Sequence, residues 1–168
     1  MTARGKSQKN IRTAPILKDN LFSLCISLAK LSKSDGERYG SIVMKDHTIL
    51  GMGYNRAISH PYIHLERIIR MGYANHAEIE AMDDALQNGS DIQGADLYCA
   101  GYFPEPHTGF SGHDRLILKD GAWYTCVKCP PHMEKYCIAN VYVPTPSGWA
   151  GMPIEEVEEC AKRFTNGT

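Results

Sequence analysis

The chain has 168 residues, enough for one domain with a sizeable hydrophobic core and no need of cross-links. Its 18 Lys and Arg residues nearly balance 19 Asp and Glu residues, and the formal net charge of −1 does not indicate a nucleic-acid partner. No stretch approaches the ~20 apolar residues that span a bilayer, and the polar, basic start lacks the apolar core of a secretory signal. Composition therefore predicts a cytoplasmic protein, without membrane association, with a flexible basic tail (residues 1–13) and a single domain (residues 14–168).

Helices are predicted where apolar residues recur every three or four positions, and strands where β-branched and aromatic residues cluster. The predicted helices cover residues 14–33, 62–71, 76–88, 126–136 and 153–164. The predicted strands cover residues 39–45, 48–54, 95–103 and 139–143, and the first two form a hairpin. Residues 103–122 are an insertion. Residues 116–118, within it, and residues 123–125 are predicted to form a second hairpin. This order is typical of an α/β protein whose sheet is covered by helices on both faces.

Two short motifs carry the candidate chemistry. His-Ala-Glu at residues 76–78 is followed about 50 residues later by Cys-Val-Lys-Cys at residues 126–129. His76, Cys126 and Cys129 supply three ligands for a tetrahedral zinc ion and leave one position open for water, as in catalytic zinc sites. The six cysteines of a chain expected to stay reduced also favour metal ligation over disulfides.

The two motifs match the H-x-E…C-x-x-C signature of zinc-dependent nucleobase deaminases, and the chain resembles the cytidine and deoxycytidylate deaminase superfamily. The resemblance implies a three-layer α-β-α sandwich around a five-stranded mixed sheet. It also implies hydrolytic deamination by a zinc-activated water, with Glu78 as the proton shuttle to the ring nitrogen and the leaving amine. The expected cofactor is one catalytic Zn²⁺, and a second zinc site at His107 and His113 of the insertion is not expected.

The substrate contacts are also taken from the resemblance. Residues 39–46, followed by Gly-Tyr-Asn at residues 53–55, resemble the deoxycytidylate deaminase pattern, which implies that Asn55 hydrogen-bonds the substrate. The backbone N–H of Ala77 is expected to contact a ring oxygen, and Tyr124 is a further candidate contact. Side chains that can hold a 5′-phosphate are Arg56, His60, His64 and Arg70. A solvated helix face is the alternative explanation for that last group.

The preferred substrate is deoxycytidine monophosphate (dCMP), converted to dUMP and ammonia by a dimer or hexamer of this chain. Asn55-Arg56 also resembles the guanine and tRNA-adenosine deaminase branches, so a purine deaminase is an alternative. A nucleic-acid-editing deaminase, which needs a basic channel with aromatic residues at its rim, is another alternative. A third is a non-catalytic zinc-binding module that keeps the fold. For the cysteine pair itself, a closed structural zinc site with His132 or Cys137 is a separate alternative.

Overall fold

The structure is a computed structural model, and it describes residues 13–34, 36–57, 74–104, 115–118, 129–157 and 159. The helices described are a 3₁₀ helix, Pro15–Lys18, and the α-helices α1 Asn20–Ala29, α2 Ala77–Gln87 and α3 Pro130–Lys135. The strands described are β1 Arg38–Lys45, β2 Thr48–Tyr54, β3 Arg56–Ala57, β4 Ala74–Asn75, β5 Asp96–Tyr102, β6 Leu116–Ile117, β7 Asn140–Thr145 and β8 Gly148–Pro153. Residues 154–157 are also helical.

The central sheet has the strand order β2-β1-β5-β7-β8. Strands β5 and β7 are parallel, and the other pairs along this path are antiparallel. The short strand β6 pairs with the end of β5, beyond the residues that pair with β7. The predicted five-stranded mixed sheet is therefore confirmed, with β6 as an added sixth strand. Because α3 lies in the crossover between the parallel strands, its N-terminus comes to the carboxyl end of β5.

The β1–β2 hairpin is confirmed and owes its tight connection to two left-handed residues. Asp46 has φ 51° and His47 has φ 62°, and positive φ at both central residues is what a two-residue type I′ turn requires. The turn pairs Lys45 with Thr48, and a register shift between Val43 and Met44 then leads to the pairing of Gly40 with Tyr54. The pairing brings the start of β1 and the end of β2 to the same end of the sheet.

Alternate residues of β1 face two separate hydrophobic cores, as the period of a β-strand dictates. Ile42 packs with Phe22 and Cys25 in the core beneath α1. Its neighbour Val43 packs with Met82 in the core beneath α2 and α3. Helices therefore cover both faces of the sheet, and the predicted three-layer α-β-α sandwich is confirmed. Burial raises the pKa of the Cys25 thiol to about 12, as expected for a core cysteine that stays protonated.

The close contact between β2 and α2 depends on the absence of a side chain at Gly51. A Cβ at Gly51 would lie 2.3 Å from the carbonyl oxygen of Ala81 in α2. Gly51→Ala should therefore lower the free energy of unfolding by about 3 kcal/mol, because the helix must move away from the strand. The measurement is denaturant unfolding followed by circular dichroism.

Gly36→Ala is the matched control, since a Cβ there meets its nearest atom, Ser34 Oγ, at 3.8 Å. It should change the free energy of unfolding by no more than about 0.5 kcal/mol. Equal effects of the two alanines would contradict the proposed close contact between helix and strand.

Several predicted boundaries differ from the structure. The helix predicted over residues 14–33 is divided at Asp19, whose extended backbone and side-chain bond to the Phe22 N–H cap α1. Strand β8 was not predicted, and Pro153 ends this strand instead of lying within the last helix. The predicted hairpin strand at residues 116–118 pairs with β5. Residues 62–71 and 123–125, where a helix and a strand are predicted, lie outside the described residues.

Among the residues that the structure describes, no helix combines the length and the apolar character needed to cross a membrane.

Candidate functional site

The predicted catalytic motif stands at the start of α2. His76 is the N-cap residue, with extended backbone angles (φ −75°, ψ 146°), and Glu78 lies in the first turn. The positive end of the helix dipole favours a negative charge on Glu78. Cys129 is the N-cap residue of α3, followed by Pro130 at the first helical position, where proline fits. Both helix starts lie at the same end of the sheet, so the two motifs meet.

Three side chains converge there, within reach of one ion. The Sγ of Cys129 lies 3.2 Å from Nδ1 of His76 and 3.7 Å from Oε2 of Glu78. All three ligand atoms lie within 4.8 Å of one another. A sulfur and a nitrogen bound to one tetrahedral zinc at ~2.3 Å and ~2.1 Å are about 3.6 Å apart. These separations, and the combination of thiolate, imidazole and carboxylate, fit a zinc ion.

The three side chains of the site differ in their exposure to solvent. Cys129 is fully buried in the core beneath α2 and α3, whereas His76 and Glu78 are half-buried. An ion held by these groups would have protein behind it and an approach from solvent in front. Such an arrangement suits a site where a small molecule must reach the metal.

Two of the three predicted zinc ligands are brought together, and the third cannot be assessed. His76 and Cys129 lie in the cluster with Glu78, whereas Cys126 lies outside the described residues and stays a prediction. Among the residues described, His132 and Cys137 are not members of the metal-binding cluster, and Cys137 is exposed. The cluster therefore favours the open arrangement over the closed structural site.

The side-chain amide of Asn55 is held by two hydrogen bonds to the backbone at the start of β1. Its Oδ1 accepts a hydrogen bond from the Tyr39 backbone N–H at 2.8 Å, and its Nδ2 donates to the Glu37 carbonyl at 2.9 Å. The amide thus ties the end of β2 to the start of β1. An amide offers a second N–H and a second lone pair, so a substrate contact stays a prediction for Asn55.

The other predicted contacts have different surroundings. Arg56 Nη2 lies 2.7 Å from Glu80 Oε2, with side chains 55% and 14% exposed, so the guanidinium forms a salt bridge on the surface. Ala77 is buried as the first residue of α2. Tyr124 lies outside the described residues. The substrate roles of these three residues stay predictions.

Tyr39 is a residue near the site that the sequence analysis did not select. It pairs with Gly101 across β1 and β5, and burial, with smaller effects from the Glu37 bond and the charges of Cys99 and Glu78, raises its pKa well above the usual range. Regular pairing from the hairpin turn would place Tyr39 opposite Tyr54, and the register shift between Val43 and Met44 brings it beside Asn55 instead, so the sequence alone did not reveal this neighbour.

Comparison with known proteins gives one family match and several similar structures. The model of the cytidine and deoxycytidylate deaminase zinc-binding region matches residues 16–145. A search of curated proteins finds no match.

Three of the solved structures that are similar to this chain are the following. The dCMP deaminase of the cyanophage S-TIM5, in apo form, is 18% identical, with 96% of this chain and 95% of that chain covered and a TM-score of 0.45. The cytidine deaminase of Burkholderia pseudomallei is 16% identical, with 80% and 94% covered and a TM-score of 0.49. A diaminohydroxyphosphoribosylaminopyrimidine deaminase/5-amino-6-(5-phosphoribosylamino)uracil reductase of Thermotoga maritima is 22% identical, with 84% and 34% covered and a TM-score of 0.41.

Proposed function

Since the chain belongs to the family defined by the cytidine and deoxycytidylate deaminase zinc-binding region, we propose that it is a hydrolase that deaminates a cytosine nucleotide or nucleoside. The predicted zinc cofactor is confirmed by the family and by the placement of His76, Glu78 and Cys129. The observation that carries the proposal is the approach of the Cys129 sulfur to within 3.2 Å of His76 and 3.7 Å of Glu78. The preferred substrate is dCMP, which would give dUMP and ammonia.

His76 and Cys129 would hold the ion, with Cys126 as the proposed third protein ligand. Bound zinc lowers the pKa of a coordinated water toward ~7 and makes hydroxide available at neutral pH. The side of the cluster away from the core would receive the reacting edge of the base. The buried position of Cys129 keeps its sulfur from solvent, whereas His76 and Glu78 are partly exposed.

Glu78 is proposed as the proton carrier of the reaction. Its Oε2 lies 3.7 Å from the Cys129 sulfur, so the carboxylate lies beside the position of an ion held by His76 and Cys129. It would take a proton from the attacking water and deliver it to the ring nitrogen. It would then carry the second proton of that water to the amine, which departs as ammonia while the ring carbon becomes a carbonyl.

The remaining predicted contacts complete the proposal. The backbone N–H of Ala77, at the first helical position, lacks a partner within the helix and can donate to a ring oxygen. Asn55 would bind the substrate with its second N–H. Arg56 has guanidinium N–H groups beyond the one that meets Glu80, and these would bind a 5′-phosphate. Tyr124 is proposed as a further contact, and a homo-oligomer as the working form.

A substrate panel tests this function. Purified zinc-loaded protein is incubated with cytosine, cytidine, deoxycytidine, CMP, dCMP, guanine and adenosine, and ammonia release is measured. We expect turnover of cytosine compounds, fastest with dCMP. Turnover of guanine or adenosine without any cytosine compound would assign the same chemistry to a purine substrate and reject the proposed one.

A further inference from the structure

Tyr39 lies on the face of the sheet that carries the metal cluster. Its aromatic ring covers Gly101 of β5, since a Cβ built on Gly101 would lie 2.4 Å from Cδ1 and 2.7 Å from Cε1 of the ring. Cys99 lies two residues earlier on the same face of β5, and Gly53, near the end of β2, lies against Glu80 in the first turn of α2. The ring therefore lies on the same face and at the same end of the sheet as the first turn of α2, which carries Glu78.

Tyr39 is held by three hydrogen bonds, one made by its ring and two by its backbone. The phenol O–H donates to Glu37 Oε2 at 2.6 Å. The Tyr39 backbone N–H donates to Asn55 Oδ1 at 2.8 Å, and the Tyr39 carbonyl accepts from the Asn55 N–H at 3.2 Å. Turning the ring away would break the bond to Glu37, and moving the backbone would break those to Asn55. The ring is thus a fixed surface near the site.

From this placement we infer that Tyr39 determines specificity, by limiting the base in front of Glu78 to a single ring. A pyrimidine is flat and can lie against the fixed aromatic ring in an offset stack. A purine carries a second, fused ring that would occupy the space of the Tyr39 side chain. The absence of a side chain at Gly101 follows from the same arrangement, because the tyrosine ring fills that space. This inference rests on the proposed deaminase function and names its substrate class.

The test compares Tyr39→Ala with Tyr39→Phe on cytosine and purine substrates. Tyr39→Ala opens the space over Gly101, so the ratio of purine to cytosine kcat/KM should rise at least about 10-fold. The KM of the cytosine substrate should rise more than kcat falls, because Glu78 and the metal ligands are untouched. Tyr39→Phe keeps the ring and loses the O–H, so its ratio should stay within about threefold of the wild-type ratio.

The outcomes separate this inference from the proposed function. Wild-type protein that deaminates no cytosine compound would reject the function itself. Active wild-type protein together with an unchanged ratio in folded Tyr39→Ala would reject the role of Tyr39 alone.

A second measurement needs no variant and applies even if Tyr39→Ala does not fold. A purine compound that matches the active substrate in its sugar and phosphate (purine riboside 5′-monophosphate for a nucleotide, purine riboside for a nucleoside), added at about ten times the KM of the cytosine substrate, should not inhibit the wild-type protein competitively. Competitive inhibition with an inhibition constant near that KM would show that a purine fits beside Tyr39, and would overturn the inference.

Discussion

Replacing Glu78 with glutamine should lower kcat by about 10²–10⁴-fold, the usual contribution of a positioned general acid–base group. Glutamine keeps the shape of the side chain and can still form hydrogen bonds, but its amide cannot accept the proton of the attacking water. Bound zinc and thermal stability should stay at wild-type values, because His76 and Cys129 still hold the ion. The measurements are steady-state ammonia release, metal content by mass spectrometry, and thermal melting.

Glu156→Gln is the matched control for this experiment. Glu156 is exposed within the helical residues 154–157, so the same chemical change should alter kcat by less than about twofold. Two results with Glu78→Gln would be informative in different ways. A retained rate would refute the proton-carrier role. A loss of zinc would show that Glu78 is a ligand, which its place in the cluster with His76 and Cys129 makes a real alternative.

The elements predicted well are those whose local signals agree with their tertiary surroundings. The β1–β2 hairpin follows from two β-rich runs and a two-residue connection. Helix α2 follows from apolar residues spaced at its period and from Asn88-Gly89, where Asn88 is its C-cap. Buried β5 reads as a run of apolar and aromatic residues.

Strand β8 shows what local signals cannot supply. Gly148, Gly151 and Pro153 are residue types with low strand propensity. The strand forms because β7 offers it an edge, with Val143 opposite Ala150 and Tyr142 opposite Gly151. A Cβ on Gly151 would lie 2.4 Å from the Tyr142 ring, so this glycine is explained by its partner on the neighbouring strand. The requirement for glycine at position 151 is therefore seen only when β7 and β8 are paired.

The residues of the site likewise fall into those that the sequence predicts and those that only the folded structure brings together. His76, Glu78 and Cys129 were found from the sequence because zinc chemistry restricts both the residue types and their spacing. The backbone bonds of Asn55 and the salt bridge of Arg56 with Glu80 depend on which strands and helices are neighbours. Tyr39 carries no chemical signature of its own. Its relevance comes from the register that places it on Gly101.

Cys129→Ser should remove the metal and with it the activity. The Cys129 side chain is completely buried, and its sulfur lies 3.2 Å from His76 Nδ1 and 3.7 Å from Glu78 Oε2. A serine hydroxyl is a poor zinc ligand at neutral pH, so bound zinc should fall from about one ion per chain to below about 0.1. The melting temperature should also fall, because binding free energy that stabilises the folded state is lost. Metal analysis, ammonia release and thermal melting check these expectations.

Cys137→Ser makes the comparison decisive, since it is the same substitution at an exposed cysteine one helix away. If the ion is held by His76 and Cys129 with one position open, Cys137→Ser should keep its zinc, its rate and its melting temperature. If the ion is instead held in a closed structural site that includes Cys137, both serine variants should lose zinc. Retained zinc and activity in Cys129→Ser would contradict the metal centre itself, because no other described sulfur lies in the cluster with His76 and Glu78.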